Sequence, residues 1–213
     1  EIFTLILLVI GLTTIANNTF YLMGHGIRRP VTISHRGVAE KNGVQNTISA
    51  MEKTSKLRPD YVEMDLHETK DHQFVVMHDE NLKKLTGVDK TPHELTLNQL
   101  TQLTAHENGY RAKVASFDQY LAAAEKRHQK LLIEIKSTPR DSKEMLRNFN
   151  ARYGKRILRD HDQIHSLDYS VVTSLKKINP KLKVLYIQPY NFGNPQGAAD
   201  GYSMEYSTLN QDF

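Results

Sequence analysis

Two histidines, His35 and His78, each come directly after a short apolar run, residues 31–34 and 74–77. Three carboxylates stand at spacings that suit them for joint work. Glu63 and Asp65 lie two apart within residues 61–66, so on a strand they share one face. Glu134 and Lys136 repeat that spacing, and Glu134 is flanked by Leu131, Leu132, Ile133 and Ile135. A carboxylate in such surroundings needs a cation, either the Lys136 ammonium or a metal ion. Taken singly, each feature has an ordinary reading: a solvated strand face, a loop histidine, a structural salt bridge. Together, three converging carboxylates repel one another and call for a cation. An all-oxygen donor set favours Mg²⁺ or Ca²⁺ over zinc. Such an ion polarises a phosphoryl oxygen, and an imidazole on each side can serve as general base and general acid. That is equipment for phosphodiester hydrolysis.

The elements that must position these groups alternate along the chain. Strands are expected at residues 31–34, 61–66, 74–77, 131–135, 163–167 and 183–188, with one more at 202–206. Helices are expected after Asn46 or Thr47, either of which can cap, at 96–103, after Ser116 and at 171–178. Ser116 and Gln119 form a capping box, behind which Phe117, Tyr120, Leu121 and Ala124 repeat at helical spacing. Strands alternating with helices imply crossovers and a parallel sheet. About seven strands approach the eight of a closed β/α barrel, whose strand C-terminal ends converge on one mouth.

Composition narrows the partners. The 213 residues are 39% hydrophobic and 24% charged, ordinary for a globular domain. The net charge of +4 suits an anionic substrate or a membrane surface. No arginine-rich stretch carries interleaved aromatics, so nucleic acid is not an expected partner. The chain has no cysteine, which excludes disulfides, zinc–thiolate sites and a cysteine nucleophile. It begins with Glu1, and the run from Ile2 to Gly24 is uncharged, with Phe20 and Tyr21 where interfacial aromatics lie. Residues 1–26 are therefore expected to be the end of a transmembrane helix or a membrane-proximal segment, and 27–213 the barrel. The oligomeric state leaves no trace in the sequence.

His35-Arg36-Gly37, Glu63-Met64-Asp65, Val75-Val76-Met77-His78-Asp79 and Leu132-Ile133-Glu134-Ile135-Lys136 occur in that order. Together they resemble the glycerophosphodiester phosphodiesterase family. The resemblance implies a (β/α)8 TIM barrel with one divalent cation, hydrolysing small or polymeric glycerophosphodiesters to glycerol 3-phosphate and an alcohol. By position, Glu63, Asp65 and Glu134 resemble the metal ligands, His35 and His78 the acid/base pair, and Arg36 and Lys136 the phosphate holders. His165, Asp168, Gln188 and Glu205, at later strand ends, are candidate substrate contacts. His25, His67, His72, His93, His106, His128 and His161 are expected at the surface.

Two departures stand out. Val44-Gln45-Asn46-Thr47 replaces the family's usual Pro-Glu-Asn-Thr, exchanging a carboxylate for an amide. With the apolar leader, this resembles the membrane-anchored bacterial branch, with its catalytic domain outside the cell. The chain also stops at Phe213, after the expected seventh strand, so the barrel is expected to lack its last βα unit. Two other functions fit the same pattern: a related barrel phosphodiesterase acting on intact phospholipids, or an inactive barrel used as a binding module.

Overall fold

The structure, a computed structural model, describes residues 2–22, 30–188 and 197–203. The chain divides into two compact units, 1–31 and 32–213. In the first, the uncharged run forms one helix, α1 (Ile2–Leu22), with Phe3, Leu7 and Leu12 exposed. Among the described residues no helix is long and apolar enough to cross a membrane.

The second unit opens with β1 (Ile33–Ser34), α2 (Ile48–Thr54) and β2 (Tyr61–Glu68). An excursion follows through β3 (Phe74–Val76), α3 (Lys83–Thr86), α4 (Leu97–Gln102) and the hairpin β4 (Thr104–Glu107) with β5 (Tyr110–Lys113). The alternation then resumes as α5 (Phe117–Lys126), β6 (Leu131–Ile135), α6 (Met145–Asp160), β7 (Gln163–Ser166), α7 (Tyr169–Ile178), β8 (Val184–Ile187) and β9 (Tyr202–Ser203). The main sheet runs β1-β2-β6-β7-β8-β9 with every neighbour parallel. This is the expected α/β architecture: an incomplete barrel with helical crossovers.

One strand differs from expectation. Residues 74–77 were expected to be another barrel strand, but β3 pairs antiparallel with β2, Leu66 opposite Val76. Only five residues part the two strands, too few for a crossover, so the chain turns straight back. The described residues therefore supply six parallel strands and one return strand.

Alternation within the strands sorts the side chains. Val62, Met64 and Leu66 of β2 and Leu131, Ile133 and Ile135 of β6 join the main core beneath the helices. Their neighbours Glu63, Asp65 and Glu134 point to the opposite face, the barrel interior. The aromatic heart is Phe74, Phe117, Phe149 and Tyr153, with the Phe117 and Tyr153 rings edge to face at 4.7 Å. Emptying such a position, as in Phe149→Ala, costs about 3–5 kcal/mol. A second, smaller core of Val44, Val75, Met77, Leu82, Leu100 and Val114 carries the excursion.

Local signals set the helix starts. Thr47 caps α2 by accepting from Ala50 N, and Ser116 and Gln119 form the expected capping box on α5. Asp162 Oδ1 accepts from Leu131 N at 2.7 Å, tying the start of β6 to the turn before β7. Burial pushes the Asp162 carboxyl up to about 7.

Candidate active site and metal centre

The parallel register lines up the chemistry. Asp65 pairs with Glu134, and Glu134 with His165, so these three form one row across β2, β6 and β7. Glu63 sits one step below Asp65 on the same face. The deciding proximity is among Glu63, Glu134 and His165, whose donor atoms lie within 4.8 Å of one another, all three residues buried. Glu63 Oε1 and both ring nitrogens of His165 find no hydrogen-bond partner among the described residues. Burying three such groups without partners is costly, and a cation among them removes the cost. The donor set thus fits a divalent ion.

Asp65 stands beside this trio with partners of its own. Its Oδ1 lies 2.9 Å from Lys136 Nζ, and its Oδ2 accepts from Asn46 Nδ2 at 2.8 Å. Lys136 also contacts Glu134. Burial pulls the Lys136 ammonium down, but the Asp65 and Glu134 charges outweigh it and hold it above the ordinary lysine range. It stays protonated.

His35, Arg36 and Gly37 form a tight turn at the end of β1, with Arg36 at φ 52° and Gly37 at φ 67°. A Cβ on Gly37 would also meet the Tyr120 hydroxyl at 2.9 Å, so the motif's glycine answers both a left-handed backbone and a close approach. The turn points Arg36 N at Glu63 Oε2, 2.7 Å away. The Arg36 guanidinium lies 3.9 Å from Asp65 Oδ2, and His35 Nε2 lies 3.9 Å from Glu63 Oε2. The His35 side chain is 73% exposed, open to solvent and ligand.

His78 arrives from the return strand. Met77 N donates to Asp65 O at 3.0 Å, which brings the following residue to the mouth. Its Nδ1 pairs with Asp79 Oδ1 at 2.6 Å, leaving Nε2 for proton exchange. Burial pushes the Asp79 carboxyl up, but the His78 hydrogen bond and the Lys84 and Arg36 charges outweigh it and hold it low. Behind His78, the His67 ring donates from Nε2 to its carbonyl oxygen at 3.1 Å. Burial lowers His67 to about 4, so it is neutral. A cavity of about 540 Å³ opens here, lined among others by His78, Glu134, Lys136, Asp168 and Tyr169.

His35, Arg36, Glu63, Asp65, His78, Glu134 and Lys136 therefore lie near one another around one mouth. His165 meets Glu63 and Glu134, while Asp168 lines the cavity and caps α7 through Ser170 N. Gln188 Oε1 is buried without a hydrogen-bond partner among the described residues. Glu205 and His25 lie outside the described residues. Two histidines expected at the surface are not there. His67 is 3% exposed, because it shares the inward face of β2 with Glu63 and Asp65. The His93 side chain is also buried, against Asp141, and with Glu68 these form a second cluster whose donor atoms lie within 4.8 Å. Sequence reasoning missed Asn46, Asp79 and Glu107 as site neighbours. The first two adjoin residues it had singled out, whereas Glu107 reaches the site from a distant hairpin and gives no local signal.

Comparison with known proteins bears on family and fold. The model of the glycerophosphoryl diester phosphodiesterase family matches residues 35–189. Human lysophospholipase D GDPD1 is 47% identical over 68 residues, 32% of this chain and 21% of the human protein, so the matched stretch spans about a fifth of that relative. A glycerophosphodiester phosphodiesterase structure from Parabacteroides distasonis superposes with a TM-score of 0.67 at 26% identity, covering 83% of this chain and 74% of that one. An Oleispira antarctica phosphodiesterase in complex with its product sn-glycerol-3-phosphate shares the fold at 19% identity and a TM-score of 0.67, covering 85% and 77%.

Proposed function

Because the chain belongs to the glycerophosphoryl diester phosphodiesterase family, we propose that its barrel hydrolyses a glycerophosphodiester to glycerol 3-phosphate and an alcohol. The observation that carries this reading is the closure of Glu63, Glu134 and His165 to within 4.8 Å, with Lys136 and Asp65 alongside. Held by Glu63 and Glu134 with His165 or Asp65, a divalent cation, Mg²⁺ or Ca²⁺, would polarise a phosphoryl oxygen. Arg36 and Lys136 bind the phosphate and offset the charge that develops on its oxygens. One imidazole, His35 or His78, takes a proton from the attacking group as the new P–O bond forms; that group is water, or the substrate's own glycerol hydroxyl with water then opening the cyclic phosphate to glycerol 3-phosphate. The other donates a proton to the departing alkoxide as the old P–O bond breaks. Asp79 holds His78 in the tautomer this needs.

Leu167, 52% exposed, and Tyr169 give the cavity rim an apolar side, which favours a second substrate, a lysophospholipid. The kinship with a human lysophospholipase D supports the same extension. The test is release of glycerol 3-phosphate from glycerophosphocholine, with lysophosphatidylcholine scored for its own phosphate product. Activity should vanish on chelation and in His35→Ala and return with Mg²⁺ or Ca²⁺; persistence after thorough chelation would refute the scheme.

The apolar, exposed α1 also supports tethering to a membrane, and the resemblance to the membrane-anchored bacterial branch favours a barrel on the outer side of a bacterial membrane. Protease added to intact cells should then digest the barrel, and full protection would reverse the sidedness.

A further inference from the structure

Gln45 is 6% exposed and is held from three directions. Its Oε1 accepts from Arg36 Nη1 at 2.8 Å. Its Nε2 donates to Glu107 Oε1 at 2.6 Å, and its backbone N donates to Glu107 Oε2 at 2.8 Å. Glu107 ends β4, 62 residues further along the chain, so the hairpin reaches back to clasp this one residue with both carboxylate oxygens. The pattern also settles which way the amide points. Turned over, it would set its oxygen against the Glu107 carboxylate and its NH₂ against the Arg36 guanidinium, two repulsive contacts in place of two attractive ones.

We propose that Gln45 and Glu107 act as a positioning pair for Arg36, and that the β4–β5 hairpin thereby sets the grip on the substrate phosphate. This rests on the reading of Arg36 as a phosphate holder. Glu107 fixes the amide, and the amide oxygen fixes the guanidinium. The guanidinium is left partly uncommitted, since it lies 3.9 Å from Asp65 Oδ2 and its Nε makes no hydrogen bond among the described residues. The pair is also mutually exclusive in kind. Two carboxylates 2.6 Å apart require a shared proton, so an acid at 45 is tolerated only with an amide at 107.

The test uses the full chain with Mg²⁺ and compares wild type, Arg36→Ala, Gln45→Glu, Glu107→Gln and the double swap Gln45→Glu/Glu107→Gln. The affinity for inorganic phosphate is read by calorimetry, KM and kcat on glycerophosphocholine by product release, and folding by Tm. Gln45→Glu should weaken phosphate binding and raise KM by about tenfold with a smaller change in kcat. The double swap restores both hydrogen bonds with roles reversed and should recover to within about threefold of wild type. A Gln45→Glu protein that binds phosphate as tightly as wild type overturns the proposal, as does a double swap no better than the single change. Unchanged phosphate affinity in Arg36→Ala also overturns it. If phosphate binding follows the predicted pattern while no diester is cleaved, the positioning pair stands and the proposed activity falls.

Discussion

Lys136 Nζ lies 2.9 Å from Asp65 Oδ1 while also contacting Glu134, so one ammonium serves two buried carboxylates on adjacent strands. Lys136→Met keeps the stem's bulk and removes the charge. It should lower kcat/KM by about 100-fold or more through lost stabilisation of phosphate charge. The same change leaves two acids uncompensated, so apparent cation affinity should rise. Steady-state kinetics across a Mg²⁺ titration reads both effects, and kcat/KM near wild type would remove Lys136 from the phosphate site.

His165 contributes the imidazole of the donor trio, with neither ring nitrogen hydrogen-bonded among the described residues. His165→Gln should weaken divalent-cation binding by about 10- to 100-fold, the scale seen when a group that holds or orients a metal is altered. Asp65→Asn should weaken it less, because Asp65 is engaged by Lys136 and Asn46. Calorimetric titration with Mg²⁺, Ca²⁺ and Mn²⁺ ranks the two variants, and the reverse order would assign the third ligand to Asp65. A relative gain for Mn²⁺ in the wild type would reflect the nitrogen donor.

Asp162 gives the fold a pH signature. Burial raises its carboxyl from 3.8 to about 7 in the folded chain. The folded state therefore holds a proton that the unfolded chain has released. Stability from this group is fully present below about 4 and drains away as pH rises towards 7, by a few kcal/mol at most. Asp162→Asn should flatten that part of the profile while raising Tm at pH 8. Tm curves for the two proteins that run parallel between pH 4 and 8 would show that Asp162 is not strained.

Much of this was legible before any coordinates. Apolar runs broken by single acids located β2 and β6, and the two-residue spacing placed Glu63 with Asp65 on the inward face. The Ser116 capping box marked the start of α5. What escaped had physical reasons. β3 has ordinary strand composition, and only the five-residue gap after β2 betrays that it turns back. α6 hides its buried Met145, Phe149, Tyr153 and Ile157 among arginines, so its mean hydropathy is low although its spacing is helical. The hairpin of β4 and β5 is mostly polar, and its contact with Gln45 spans too much chain for any local pattern to report. His67 continues the inward-facing series of β2, and extending the alternation one step would have found it.

The return strand β3 divides the labour of the two imidazoles between two kinds of material. His35 is rooted in the barrel itself, at the tip of β1, together with the turn that reaches Glu63. His78 is delivered by an excursion with its own small core, between residues that sit on β2 and β6. A lineage could lengthen, shorten or reshape that excursion, and with it the leaving groups accommodated, while the acidic row across the sheet stays put. Chimaeras that exchange only this inserted piece between barrels are thus a natural route to altered selectivity on an unchanged catalytic floor.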